Sequence, residues 1–196
     1  LNKISNLGRQ INYGIQSLKT YLKTYKFFGL FASNANKLGF VNQVMVSNKE
    51  ASNHFMPQKH QICFINYDLK NQTEDLKEKA NNPISFPKQL FIEAEEIISL
   101  GDIKIDDFIE TNYPSFKVKA TINKDEYIKK VNSLKQHIQQ GDIYEINYCI
   151  TFEAYHAVIN PLNIYQKLNT ISKASYSALI KFNKQYIICS SPELFL

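Results

Sequence analysis

Glycine is scarce in this sequence: six glycines in 196 residues, none of them clustered. A phosphate-cradling loop needs glycines close together so that successive backbone N–H groups can reach the anion, so nucleotide binding of that type is excluded. Cysteine is scarcer still. Cys63, Cys149 and Cys189 lie far apart and follow no metal-ligand spacing. Cys149 and Cys189 fall in strand-like runs, where they are expected to act as small buried residues. Of four histidines, His54 and His60 stand in one polar loop without a cysteine or carboxylate at ligand spacing, and read as solvated side chains rather than ligands. His137 and His156 are isolated. Ser190 and Ser191 lack the flanking glycines of a nucleophile elbow. No apolar run reaches the length of a membrane span, and no signal peptide is visible. Together with the thiol usage, this points to a cytoplasmic protein that does not enter a membrane.

Neither sign of charge dominates. Lys plus Arg number 23 against 18 for Asp plus Glu, a formal net charge of +5. The basic residues are spread thinly, so they suit a small anionic ligand as well as a polyanion. The aromatic residues recur at strand spacing and read as core before they read as a base-stacking platform. No nucleic-acid partner is expected. The apolar content is ample for the core of one good-sized domain. The chain begins at Leu1 rather than methionine and stops soon after a motif-like turn, and it is expected to be a fragment.

Periodicity outlines an α+β chain. Residues 9–24 carry Ile11, Ile15, Leu18 and Leu22 at helical spacing. Residues 26–34 (KFFGLFASN) look like a buried strand ending in a polar turn, and residues 42–47 and 61–67 read as short strands. Residues 68–71 predict a turn into a short charged helix over 73–80, stopped by Asn81-Asn82-Pro83. From Gln89 the pattern is strand-like again: QLFIEAEEIISL, a Gly101-Asp102 hairpin signal, then IKIDDF. Residues 115–122 form a further alternating strand. The clearest helix is 125–140, with Ile128, Val131, Leu134 and Ile138 as its buried stripe. Asp125 or Asn123 caps its start and Gly141 ends it. Asn160-Pro161 opens a second helix with Leu162, Tyr165 and Leu168 facing inward. Residues 176–182 and 185–190 form a hairpin across Asn183-Lys184. Many antiparallel pairs with interspersed helices give α+β rather than a doubly wound sheet.

Residues 141–153 (GDIYEINYCITFE) stand out. Tyr144, Ile146, Tyr148, Ile150 and Phe152 are apolar, whereas Glu145, Asn147, Cys149, Thr151 and Glu153 are polar or small. Such alternation marks a half-buried strand with one face to a core and one free to line a cavity or meet solvent.

The succession of a helix, GDIYEINYC, a proline-started helix, SKASYSALIKF, a hairpin and SSPELFL resembles the chorismate-utilising enzymes. The likeness is greatest to the component I branches of aminodeoxychorismate synthase and anthranilate synthase, and it covers residues 125–196. Upstream, LFASN at 30–34 is similar to the family's Leu-Leu-Glu-Ser element, and INYDLKN at 65–71 resembles its Gly-Tyr-x-x-Tyr-Asp segment. The resemblance implies two facing antiparallel sheets with outer helices. Residues 1–122 would be the N-terminal region of that fold and 123–196 the start of the chorismate-binding domain.

It also implies roles. Glu193 matches the Ser-Pro-Glu carboxyl, a general acid for the departing hydroxyl of chorismate. The lysine nucleophile and the glutamates that hold Mg2+ are expected beyond Leu196, so no metal ligand is assigned within this chain. Glu145 stands where water-using members carry a lysine and ammonia-using members a glutamine, which favours amination. Asn147 favours the aminodeoxychorismate branch over anthranilate synthase, whose matching residue is usually apolar. Ser33 and Tyr176 match positions that bind tryptophan in family members, against the simpler reading of a turn serine and a core tyrosine. The implied partners are chorismate, a glutamine amidotransferase subunit and tryptophan. The rival of a different class is a non-catalytic binding module.

Overall fold

A computed structural model describes residues 17–33, 42–74, 84, 86–100 and 116–191. Helix α1, Leu18–Thr24, opens on Ser17, whose hydroxyl accepts from the Thr20 N–H, and buries Leu18 and Leu22. Strand β1 (Phe27–Ala32) follows, then β2 (Gln43–Ser47) and β3 (Gln61–Ile65). A 3-10 turn, Tyr67–Leu69, runs into a short helix α2, Lys70–Thr73. Strands β4 (Gln89–Glu93), β5 (Glu96–Ser99) and β6 (Lys119–Ala120) precede the long helix α3, Lys124–Gln140. Strand β7 (Phe152–Glu153), helix α4 (Pro161–Ser172) and the hairpin β8 (Tyr176–Phe182) and β9 (Gln185–Ser191) complete the order.

Five strands form one antiparallel sheet in the order β5-β2-β1-β8-β9, and β3 pairs with β4 in a second, two-stranded sheet. Because successive side chains leave opposite faces of a strand, the central strands feed two cores. Phe28, Leu30, Val44, Val46 and Leu179 face Leu18 and Leu22 of α1 and Leu162 and Tyr165 of α4. Phe27 and Met45 face the other way, on to Ile62, Leu90 and Ile92 of the two-stranded sheet. The layers are therefore helices, sheet, sheet, which is the α+β architecture expected from the sequence. Each buried Leu or Phe in such a layer contributes roughly 1.5–3 kcal/mol relative to exposure. The contacts divide into two compact units, Leu1–Ile109 with Asn160–Leu196, and Glu110–Ile159. Strand β8 shares the large sheet with β1.

Two polar details hold the first unit together. Lys181 sits on the helix-facing side of β8 and is almost wholly buried. Its ammonium donates to the Leu22 and Tyr25 carbonyls, 2.6 Å each, at the end of α1 where the last carbonyls lack helical partners. Burial pulls its pKa below the ordinary lysine value. Tyr25 donates its hydroxyl to Glu96 Oε1 at 2.6 Å, and burial together with that carboxylate pushes the phenol pKa up.

Several expectations need correction. The run 89–100 is two strands in different sheets, because its backbone changes partner at the junction. Ala94 N–H donates to His60 O, and Glu95 N–H to Val46 O, both 2.9 Å. The turn at 68–71 is helical instead, with Asn66 capping it by accepting from the Asp68 N–H; residues 75–83 lie outside the described residues, as do Ile11, Ile15 and Gly101-Asp102. Of the described residues of the predicted strand 115–122, two, Lys119 and Ala120, pair as a strand. Cys149 and Cys189 are exposed, not buried. Cys189 is on the edge strand and leaves the face opposite Ile188, which packs on the helix-side core. Leu168 of α4 is also exposed.

Gly29 sits in the middle of β1, between Met45 and Ile180. A Cβ there would lie 2.7 Å from the Phe31 ring and 3.3 Å from Ile62 Cγ1. Gly29→Ala is expected to destabilise the first unit by about 1–3 kcal/mol through overpacking, read as a fall in melting temperature. An unchanged melting temperature would mean that the Phe31 ring swings aside without loss of packing. Lys181→Ala leaves the buried Leu22 carbonyl and the half-buried Tyr25 carbonyl without this donor and is expected to cost about 1–3 kcal/mol in chemical denaturation.

Candidate active-site residues

Antiparallel pairing of β1 with β8 ends on Ala32 opposite Ser177. One step further along the same register stand Ser33 and Tyr176, so the fold brings these two positions together from near opposite ends of the chain. Both are half-buried. The Ser33 N–H donates to Asn42 Oδ1 at 2.7 Å, which ties the end of β1 to the start of β2. Tyr176 is also paired across the hairpin with Ser191, the last described residue. Glu193, two residues on, lies outside the described residues.

Behind this pair is a polar group that periodicity alone did not mark as functional. Tyr165 of α4 and Ser177 exchange a buried hydroxyl–hydroxyl hydrogen bond of 2.9 Å, and the Ser177 hydroxyl also reaches the Ala32 carbonyl at 3.3 Å. Burial pushes the Tyr165 phenol pKa up, partly offset by that hydrogen bond. Tyr165 borders a cavity of about 230 Å³ between α4 and β1, lined also by Leu30, Ala32, Leu162 and Gln166 among others. The available signal was a serine at an inward position of β8, in step with Leu179. A polar residue on a buried face requires a partner. Asn163 is a second buried polar side chain on α4, and among the described residues neither of its amide atoms has a hydrogen-bond partner.

Glu145 and Asn147 belong to the other unit. Both are exposed. The expected strand across 141–153 is confined to Phe152–Glu153, paired with Lys119–Ala120. From 143 to 151 the backbone forms no strand, and Tyr144, Ile146 and Phe152 are exposed rather than buried. Alternation specifies which side would be covered, but a strand also needs a neighbour for its N–H and C=O groups. Among the described residues none runs beside 144–150.

The helix before it forms as expected in its backbone. Asn123, not Asp125, is the cap and accepts from the Glu126 N–H at 2.9 Å; Gly141 closes the helix with φ 80°, where glycine is favoured. His137 Nδ1 and Asp142 Oδ2 add a 2.7 Å contact at that end. Its stripe is not buried: Ile128 and Ile138 are exposed, with Val131 and Leu134 half-covered. Tyr148 folds back to stack on Tyr127, ring centroids 5.6 Å apart.

Among the described residues, no three His, Cys, Asp or Glu side chains gather as a metal-holding group. Nor is any described helix long and apolar enough to cross a membrane.

Tyr165→Phe removes one hydroxyl from the buried group while leaving Ser177 bonded to the Ala32 carbonyl. The expected cost is about 1 kcal/mol, measured by urea denaturation. A larger loss would show that the hydroxyl carries more than this one bond.

The sequence matches the family described as chorismate binding enzyme over residues 15–196. An anthranilate synthase component 1 of Haloarcula marismortui is 30% identical over 112 residues, 57% of this chain and 22% of that protein. A chloroplastic anthranilate synthase alpha subunit 1 of Oryza sativa subsp. indica is 22% identical over 158 residues, 80% of this chain and 26% of that protein. The aminodeoxychorismate synthase component 1 of Bacillus subtilis is 30% identical over 77 residues, 39% of this chain and 16% of that protein. The chain therefore spans about a quarter or less of the length of these relatives. With the family matched over nearly its whole length, this chain belongs to the chorismate-binding enzymes.

Proposed function

We propose that this chain is part of a component I synthase that aminates chorismate at C4, giving 4-amino-4-deoxychorismate for folate synthesis. Ammonia comes from a glutamine amidotransferase partner. The observation that carries amination is Glu145, which stands where water-using members of the family have a lysine. Glu145 thus departs from the residue of the water-using members, and amination is the reaction this favours. Asn147 carries the choice of C4. Both side chains are exposed, so they are accessible to a substrate.

Glu193 is the proposed general acid. Loss of the chorismate hydroxyl leaves a poor leaving group unless a proton arrives as the carbon–oxygen bond breaks, and a positioned carboxylic acid supplies it. Mg2+ would hold the ring carboxylate and offset its charge, with ligands outside this chain. Ser33 and Tyr176, adjacent through the β1–β8 register, are proposed to contact tryptophan. Taken alone, these 196 residues are expected to be inactive.

A second reading, anthranilate synthase component I, is favoured by a different observation. The relatives from rice and Saccharolobus solfataricus that align with 80% and 68% of this chain are anthranilate synthases. A product assay on the full-length protein with chorismate, Mg2+ and ammonium decides between the two. Formation of 4-aminobenzoate on addition of the lyase supports C4 amination and the weight on Asn147. Anthranilate as product would reassign the reaction to C2. No product from either route would leave a non-catalytic binding module as the better description. In the full-length protein Glu193→Gln is expected to lower kcat about a hundredfold or more, the usual worth of a general acid, with little change in KM for chorismate. A variant with unchanged kcat would remove Glu193 from the mechanism.

A further inference from the structure

The arm that carries Glu145 and Asn147 is fastened to helix α3 at both of its ends. At the first end Gly141 closes the helix, and the Asp142 N–H donates to the His137 carbonyl at 3.0 Å. The Asp142 carboxylate also meets His137 Nδ1 at 2.7 Å. At the second end Tyr148 stacks on Tyr127, one turn inside the start of the same helix, with ring centroids 5.6 Å apart and planes 26° from parallel. Lys130 stands beside that stack. It pairs with Glu126 at 3.0 Å, an i,i+4 arrangement suited to a helix surface, and that carboxylate, joined by the Tyr148 phenol, lifts the ammonium pKa.

Length makes these two pins decisive. From Tyr127 to Gly141 the helix rises about 21 Å at about 1.5 Å per residue. The steps from Gly141 to Tyr148 reach about 25 Å at most. The arm therefore returns along α3 nearly extended, with little slack between its pins. In an extended backbone neighbouring side chains leave opposite sides. With Tyr148 turned on to the helix, Asn147 beside it and Glu145 two residues further back leave the side away from α3, and both are exposed. A side chain on a slack loop samples many positions. One held next to a pin samples few, which is what a group that meets substrate requires.

We propose that Tyr127 and Tyr148 are positioning residues: their stack clamps the arm to α3 and so fixes where Glu145 and Asn147 stand. Neither tyrosine is assigned a chemical step. The inference rests on the reading of Glu145 and Asn147 as substrate-facing, and it is independent of which chorismate carbon is aminated.

Chorismate turnover by the full-length protein, with Mg2+ and ammonium, tests it through paired variants, alongside nuclear Overhauser contacts between isotope-labelled tyrosine rings. The wild-type protein is expected to show contacts between the rings of Tyr127 and Tyr148; their absence would overturn the clamp whatever the activity. Tyr148→Ala is expected to lower kcat/KM about tenfold or more, the scale of a misplaced reacting group, whereas Tyr148→Phe keeps the stack and stays within about threefold of wild type. Tyr127→Ala loses as much as Tyr148→Ala, and the double variant no more than either, because one contact is removed twice. Likewise, Tyr148→Ala added to Asn147→Ala costs little beyond Asn147→Ala alone. Additive losses that follow the melting temperature would mark a merely structural role and overturn the proposal. Full activity in Tyr148→Ala beside a crippled Asn147→Ala would overturn it while leaving the reading of Asn147 intact. Full activity in both Asn147→Ala and Glu145→Ala would strike that reading, and the positioning role with it.

Discussion

The pairing of β1 with β8 is the constraint on which the first unit depends. Phe27 to Ala32 form a ladder with Ser177 to Phe182, and every other strand of the large sheet is added outward from that pair. Both faces of β1 are covered, with Phe28 and Leu30 against the helices and Phe27 against the second sheet. A strand of this kind reads as a continuous apolar run because neither face can be polar. Closing a ladder between positions so far apart in sequence costs chain entropy that the contact itself must offset. The buried Phe, Leu and Val side chains on both sides supply that free energy. Lys181 adds a polar anchor by holding the end of α1 from within the same strand.

That ladder also determines what the candidate site contains. Ser33 and Tyr176 are unremarkable as isolated residues, a serine after a strand and a tyrosine before one. Antiparallel register makes them neighbours, and the Tyr165–Ser177 hydroxyl pair lies directly behind them. Residues that contact a common ligand are commonly assembled in this way, from segments with no sequence proximity, on a scaffold rigid enough to hold them. Glu145 and Asn147 sit in the other unit, on backbone that has not formed a strand.

The contrast between the two units shows what a hydrophobic pattern does and does not imply. In the hairpin β8–β9 the pattern, the turn and the partner are all local. Asn183 takes the left-handed conformation, φ 53°, that asparagine tolerates better than most residues, and the strands pair as their alternation indicates. At 141–153 the alternation is stricter, yet only its last two residues pair. Helix α3 shows the same division: its caps and hydrogen bonds are internal and form, while its stripe is left uncovered among the described residues. Exposed Cys149 and Cys189 follow from the same cause, since strand-like surroundings do not decide which face is covered.

Local chemistry was therefore legible from the residues themselves: Asn123 and Gly141 bounding α3, Asn160-Pro161 starting α4, the buried run of β1, the absence of a glycine-rich phosphate loop, and the motifs that place the chain among chorismate-binding enzymes. These depend on backbone preferences, caps and periods that act within a few residues. Tertiary structure alone decided that residues 89–100 split between two sheets, that Ser177 and Tyr165 satisfy one another, and that Ala32 pairs with Ser177. Each of those outcomes is a choice of partner. Partner choice is set by register and by the surfaces available to cover an apolar face, and neither quantity is contained in any single stretch of sequence.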